Sequence, residues 1–236
     1  MTTIVFIPGV LNTQNIFNNL INVIGNKVSV YHADTFHFDN LTNMANDILE
    51  NVNGDIIAVG LSMGGYCALE LLNQAPNRVK GLVLFNTGAR KPTEKNIEER
   101  LKKIEMSKKG RFIGVSKPII DSILGDEQRN NQELRDLLAK MAVECGLDVF
   151  IRQQQAIISR TDHLEMLKDT NIPIACIAGD GDLITPPHLL QEISATSPNS
   201  KYHEIKGCGH MSPIEFPKET QKIFKDWLKL NFSIDL

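Results

Sequence analysis

Six short runs rich in β-branched and other apolar residues punctuate the chain: Thr3 to Ile7, Val28 to Tyr31, Asp55 to Val59, Leu82 to Phe85, Ile174 to Ala178 and Lys201 to Ile205. Several are apolar almost throughout, as strands must be when a parallel sheet is covered on both faces. Between them the period lengthens from two to nearly four. Leu41, Met44, Ala45, Ile48, Leu49 and Val52 form one helical stripe behind Asn40, a good capping residue. Ile16, Phe17, Leu20, Ile21 and Ile24 form another, closed by Gly25. Met63 to Gln74 is apolar on most sides and stops before Pro76, which predicts a buried helix. A last helix opens near Pro217 and aligns Ile223, Phe224, Trp227 and Leu228.

Strands alternating with helices predict an α/β fold: an open, mostly parallel sheet of about six strands, flanked by helices and joined by right-handed crossovers. Residues from about 90 to 171 break the rhythm. They hold helical patterns, such as Leu134, Leu137, Leu138 and Met141, and no clear strand. The expected organisation is a single domain over 1–236, with a core of 1–89 and 172–236. A helical cap at about 90–171 is inserted before the strand that leads to the candidate acid. Such an insertion reads as a lid, with an apolar inner face drawn from Leu134, Leu138, Phe150 and Ile157.

Composition excludes more than it selects. A net charge of −3, with 22% charged and 42% hydrophobic residues, gives no pull toward nucleic acid or anionic membrane. No apolar stretch approaches the ~18 residues of a bilayer span. The amino terminus lacks a basic leader region and enters a strand-like run at once, so no signal peptide and a cytoplasmic location are expected. Cys67, Cys145, Cys176 and Cys208 contain no C-x-x-C pair. Cys208, two residues before His210, is open to reading as a metal ligand or thiol nucleophile, but no second Cys/His cluster supports it; no metal and no cofactor are expected. Arg90 to Arg111 carries nine Lys/Arg against four Glu. This is either a solvated, outward helix face or a greeting for an anionic substrate such as a coenzyme A thioester.

Chemistry enters with Gly60-Leu61-Ser62-Met63-Gly64-Gly65, a Gly-x-Ser-x-Gly motif placed after a strand and before a helix. That is the geometry of a turn sharp enough to expose a nucleophilic hydroxyl, with glycines where the backbone nearly collides. A serine hydroxyl needs a base. Of the six histidines, His210 lies in the glycine-rich Lys206-Gly207-Cys208-Gly209-His210 loop beyond the last strand, at the sheet edge where ligands bind. His203 lies within a strand, His188 at a helix start and His163 on the insertion. The acid is expected between serine and histidine in Gly179-Asp180-Gly181-Asp182. Asp182 is preferred over Asp180 because a short loop reaches the histidine better than the strand tip. Two amides, of Met63 after the serine and of Val10 in Pro8-Gly9-Val10, are the candidate oxyanion donors.

Taken together, Gly60-Leu61-Ser62-Met63-Gly64-Gly65-Tyr66, Ala75-Pro76-Asn77-Arg78-Val79, Gly179-Asp180-Gly181-Asp182 with Pro186, and Gly209-His210 followed by Glu215 and Pro217 make the chain resemble the α/β-hydrolase superfamily, in its short esterase-like and enol-lactonase-like branch. The resemblance implies a nucleophile, acid and base at Ser62, Asp182 and His210, and oxyanion donors at Met63 and Val10. It departs from the family at two loops. Pro8-Gly9 stands where the family commonly has His-Gly, so the side chain that helps hold that loop is missing. Asp34-Thr35-Phe36-His37-Phe38-Asp39 stands where Gly-x-Gly-x-Ser is frequent. The function expected is a serine hydrolase cleaving a small carboxylic ester, thioester or lactone. The alternatives are a ligand-binding or receptor protein on a hydrolase scaffold and a C–C bond hydrolase. The expected partner is a small acyl substrate, not nucleic acid or membrane, with the chain alone or as a homodimer.

Overall fold

The structure is a computed structural model describing residues 2–110 and 112–236, so Arg111 of the basic segment lies outside the described residues. Six parallel strands form one sheet: β1 Thr2–Ile7, β2 Ser29–His32, β3 Asp55–Leu61, β4 Val79–Phe85, β5 Ile174–Gly179 and β6 Ser200–Ile205, in the order β2-β1-β3-β4-β5-β6. The expected open parallel sheet is borne out. Burial follows position. β3, β4 and β5 are buried nearly throughout, while the edge strands β2 and β6 are half-exposed, because only inner strands are paired along both edges and covered on both faces.

β4 starts three residues before the expected Leu82. Lys80 and Gly81 interrupt the apolar run, yet Gly81 belongs there: a Cβ on it would come within 2.7 Å of Trp227 and 2.8 Å of Phe232. The missing side chain makes room for aromatic packing. The first helical stripe also differs in detail, opening as a 3-10 turn over Gln14–Phe17 before α1, Asn18–Ile24.

Helices cover both faces. α2 Leu41–Asn51, α3 Met63–Gln74 and α8 His188–Thr196 pack on one side, around Ile48, Leu71, Leu82 and Ile193. α1, α9 Ser212–Glu215 and α10 Pro217–Phe232 pack on the other, around Phe6, Phe17, Phe85, Ile214, Phe224 and Trp227. Asn40 caps α2 through the Asn43 amide at 2.8 Å.

The stretch between β4 and β5 contains α4 Glu94–Lys108, α5 Lys117–Ile123, α6 Gln132–Ile158 and α7 Leu164–Leu167, and no strand among the described residues. α6 is bent at Gly146, which takes φ 78° and ψ 180°, a conformation that glycine alone adopts cheaply. The bend redirects the apolar stripe. Before it, Leu138 and Met141 join the Phe6/Phe85 core; after it, Ala156 and Ile157 join the Leu71/Leu82 core. Between them Ala142, Cys145 and Val149 pack on Leu11, with Phe112 and Phe150 alongside. Most of the basic charge on α4 is exposed, with one exception: Arg100 turns inward, and its Nη1 donates to Gln154 Oε1 at 2.7 Å.

Candidate active site

The chain reverses its direction of travel across the sheet between β1 and β3, and the crevice at such a switch point is where open α/β sheets bind ligands. Ser62 and the Pro8–Thr13 loop emerge on either side of it. From Ile56 to Leu72 every residue is buried except Ser62, which is half-buried. It adopts φ 54°, ψ −113°, left-handed backbone that costs a serine of order 1–3 kcal/mol. The glycines around it explain how so tight a turn closes: a Cβ on Gly60 would lie 2.3 Å from the Gly64 carbonyl oxygen, and one on Gly64 1.8 Å from that of Ile7. The turn is tied down from the next strand, with the Ser62 amide donating to Phe85 O at 3.0 Å and Thr87 Oγ1 donating to Ser62 O at 2.8 Å.

Met63 opens α3 and is fully buried, so its amide is one of the unpaired donors at a helix N-terminus. Gly9 brings the other loop against the elbow, since a Cβ there would be 3.3 Å from Ser62 Cβ. Val10 follows, and neither its amide nor that of Met63 has an acceptor among the described residues.

Asp182 and His210 come together. Asp182 Oδ2 lies 2.8 Å from His210 Nδ1, and both residues are almost fully buried, at 2% and 3% exposure. The amides of Ile184 and Thr185 donate to Asp182 Oδ1 at 2.8 and 3.0 Å; Thr185 Oγ1 and Asn86 Nδ2 donate to Oδ2 at 2.8 and 2.9 Å. Burial alone would raise the Asp182 carboxyl. The His210 ring and these hydrogen bonds outweigh it and hold the group at about 2, below the ordinary 3.8. Asp180 does something else: its Oδ1 accepts from the Gly207 amide at 2.8 Å and shapes the loop carrying His210.

No hydrogen bond joins Ser62 to His210 among the described residues. What links their surroundings is Asn86, which follows β4 at φ 46° and is wholly buried. Its Nδ2 also donates to Gly209 O at 3.1 Å, while its Oδ1 accepts from Ser212 Oγ at 2.6 Å. The histidine loop is thereby carried over the end of β5 to the end of β4, beside β3, which Ser62 follows. Glu215 holds the same loop from behind, accepting from the Gly125, Gly209 and Met211 amides at 2.7, 3.0 and 2.8 Å. Burial raises its carboxyl against the pull of those three donors.

Sequence reasoning passed over Asn86, Thr185 and Gln153. Asn86-Thr87 at the carboxyl end of a central strand was the one available signal; the partners of the other two become visible only in three dimensions. The remaining histidines lie apart: His188 is exposed, His203 is within β6, and His163 is buried against Glu70 Oε2 at 2.9 Å. Cys208 is fully buried and burial raises its thiol strongly, which opposes the thiolate a nucleophile or metal ligand needs.

The family model described as serine aminopeptidase, S33 matches residues 25–216. The chain belongs to this family, within the α/β-hydrolase superfamily. Relatives of this α/β-hydrolase are distant. The Bacillus subtilis hydrolase YugF is 24% identical over 96% of this chain and 90% of its own length. The pimeloyl-acyl-carrier-protein methyl ester esterase of Aromatoleum aromaticum is 22% identical over 76% of each. BpoC of Mycobacterium tuberculosis, named for non-heme bromoperoxidases, is 26% identical over 68% of this chain, which spans only 63% of that protein. Among solved structures, a thermophilic esterase from Thermogutta terrifontis superposes with a TM-score of 0.89 at 21% identity, covering 98% of this chain and 90% of its own. The enol-lactonase of Burkholderia xenovorans LB400 does so at 0.80 and 16%, covering 97% and 91%. No helix among the described residues is long and apolar enough to cross a membrane.

Proposed function

We propose that this α/β-hydrolase is a serine enzyme that cleaves a small carboxylic ester, thioester or lactone through an acyl-enzyme on Ser62. The observation that carries this reading is the buried Asp182–His210 pair at 2.8 Å, set at the same sheet edge as a serine held at φ 54°. With Asp182 ionised and accepting at Nδ1, the His210 ring is fixed in the tautomer that leaves Nε2 free to take a proton. Ser62 Oγ then adds to the acyl carbon as its proton passes to His210. The charge developing on the carbonyl oxygen falls to the Met63 and Val10 amides, which are still without acceptors. Collapse breaks the bond to the leaving alcohol or thiol, which departs with the proton from His210. Water repeats the sequence and frees the acid.

The helical insertion supplies the acyl side. Ala142, Cys145 and Val149 pack on Leu11 next to Val10, an apolar wall suited to a hydrocarbon chain and to excluding water. The named activities of the esterase and lactonase relatives support the same class of bond.

The test is a fluorophosphonate probe with a panel of p-nitrophenyl esters and acyl thioesters, run on the wild type and on Ser62→Ala. Labelling at Ser62, with turnover lost in the variant, is expected. Labelling without turnover of any ester, thioester or lactone would overturn the reading in favour of a ligand-binding protein.

A further inference from the structure

Gln153 has no part in the chemistry just described, yet its position is unusual. It sits in α6 after the Gly146 bend, with no exposed surface, and both ends of its side-chain amide are used. Oε1 accepts from the Leu11 amide at 2.9 Å, and Nε2 donates to Thr35 O at 3.1 Å. An amide donor on one side and a carbonyl on the other allow only one orientation of the group. The neighbouring Arg152 adds a third tie, its Nε donating to Phe36 O at 2.6 Å.

Leu11 is the residue after Val10 and holds φ 55°, a conformation that persists in a non-glycine residue only where the surroundings enforce it. Local sequence supplies little enforcement. The turn's own backbone bond, Asn12 N to Gly9 O, is long at 3.3 Å, and Asn12 Oδ1 is buried with no partner among the described residues. The buried Leu11 amide is satisfied by a residue 142 positions away.

We propose that Gln153 is a positioning residue for the oxyanion hole. By holding the Leu11 amide, it sets the Val10 amide toward Ser62 and makes the hole a joint product of the β1 loop and the helical insertion. The proposal rests on the serine-hydrolase reading. Remove the acceptor and the buried Leu11 amide must turn to find another partner, rotating the Val10–Leu11 peptide and, through the Val10 torsions, the adjoining Gly9–Val10 peptide that bears the Val10 amide.

The experiment compares wild type, Gln153→Met and Gln153→Glu, with Ser62→Ala as control. Methionine keeps the length of the side chain and removes both hydrogen bonds. Gln153→Met should lower kcat by about ten- to a hundredfold with KM nearly unchanged, less than the about 100- to 1,000-fold of losing an oxyanion donor outright. Affinity for an alkylboronic acid, which adds to the serine and mimics the tetrahedral oxyanion, should fall by the same factor. Gln153→Glu keeps an oxygen for Leu11 and should recover part of the loss; it also serves if the methionine variant fails to fold. Amide hydrogen exchange at Leu11 should be slow in wild type and faster in Gln153→Met. A folded Gln153→Met with wild-type kcat/KM, a change confined to KM, or an undiminished boronate affinity would overturn the proposal. A Ser62→Ala protein that still turned over ester would instead overturn the serine reading and the oxyanion role together, while slow exchange at Leu11 would still report the tie itself.

Discussion

Two loops at the edge of the sheet solve the same conformational problem by different means. The turn after β3 and the loop after β1 each carry a non-glycine residue in left-handed backbone, Ser62 at φ 54° and Leu11 at φ 55°. The first is specified within the sheet core. Gly60 and Gly64 let the chain pass close to itself and to Ile7, and Phe85 and Thr87 tie it from the neighbouring strand. The second is specified from outside, by an amide on α6. A turn held within the core survives changes to the helices between β4 and β5; a loop held by a side chain of those helices inherits the fate of the helix that carries it. On the proposed reading, the nucleophile belongs to the core alone, whereas the hole for the oxyanion belongs jointly to the core and to the helices between β4 and β5.

The sharpest test of the self-contained side is Ser62→Ala, which takes the nucleophile and leaves the turn. Ester hydrolysis should fall by about 10⁴-fold or more, with an unchanged far-ultraviolet circular dichroism spectrum. Retention of a tenth of the activity would remove Ser62 from the mechanism. Next comes the proposed acid, whose loop is intermediate: Ile184 and Thr185 hold it locally, Asn86 from just beyond β4. Asp182→Asn should cost about 10³–10⁴-fold in kcat by disturbing the His210 tautomer, whereas Asp180→Asn, at a carboxylate that caps Gly207, should cost far less. A reversal of that order would exchange their roles. The Gln153 variants follow in size, and they address the externally held loop directly.

Legibility divides along the same line. The six strands could be read because a buried parallel strand is an uninterrupted apolar run, and the error at β4 arose where Gly81 yields its space to Trp227 and Phe232. Gly60, Ser62 and Gly64 announce themselves because the turn's steric demands fall on adjacent residues. Asp182 and His210 were reachable as the polar members of glycine-rich loops that follow strands. Gln153 was not. On the sequence it is one glutamine of three in a row on a long helix, and nothing within four residues distinguishes it from Gln154 or Gln155. Asn86 carried a signal as a polar residue at the end of a central strand, but its partner is 96 residues away, and Thr185, three residues from Asp182, looks on the sequence like any loop threonine. The resemblance to the α/β-hydrolases led to an expectation of a missing support at Pro8-Gly9; the structure puts Gln153 in contact with that loop.

Smaller effects probe the insertion itself. Val149→Ala should widen the apolar wall over Leu11, shift the preferred acyl chain one or two carbons longer in a p-nitrophenyl ester series, and cost about 1–2 kcal/mol in a denaturant titration. An unchanged chain-length profile would place the acyl group elsewhere. The weakest effect concerns pH. Asp182 is held at about 2 when folded against its ordinary 3.8, so its ionised form favours the fold. That contribution, about 2 kcal/mol, is complete above roughly pH 4 and is lost as the pH falls through 2. The stability gap between wild type and Asp182→Asn should therefore narrow as the pH drops from 5 toward 2; a gap that stays constant would remove the charge-based account of the Asp182–His210 pair.

The bend at Gly146 has a consequence for anyone who would re-engineer this protein. Around that bend α6 passes from one client to another: Leu138 and Met141 seat against the side of the core that carries Met211, next to His210, and Ala142, Cys145, Val149 and Gln153 against the loop after β1. The helix can be treated as two exchangeable cassettes whose seam falls between Met141 and Ala142, one turn before the bend. If the proposed roles hold, a library confined to positions after the seam should retune acyl fit while leaving the proton-transfer partners alone, and a foreign insertion should need an acceptor where Gln153 now meets Leu11.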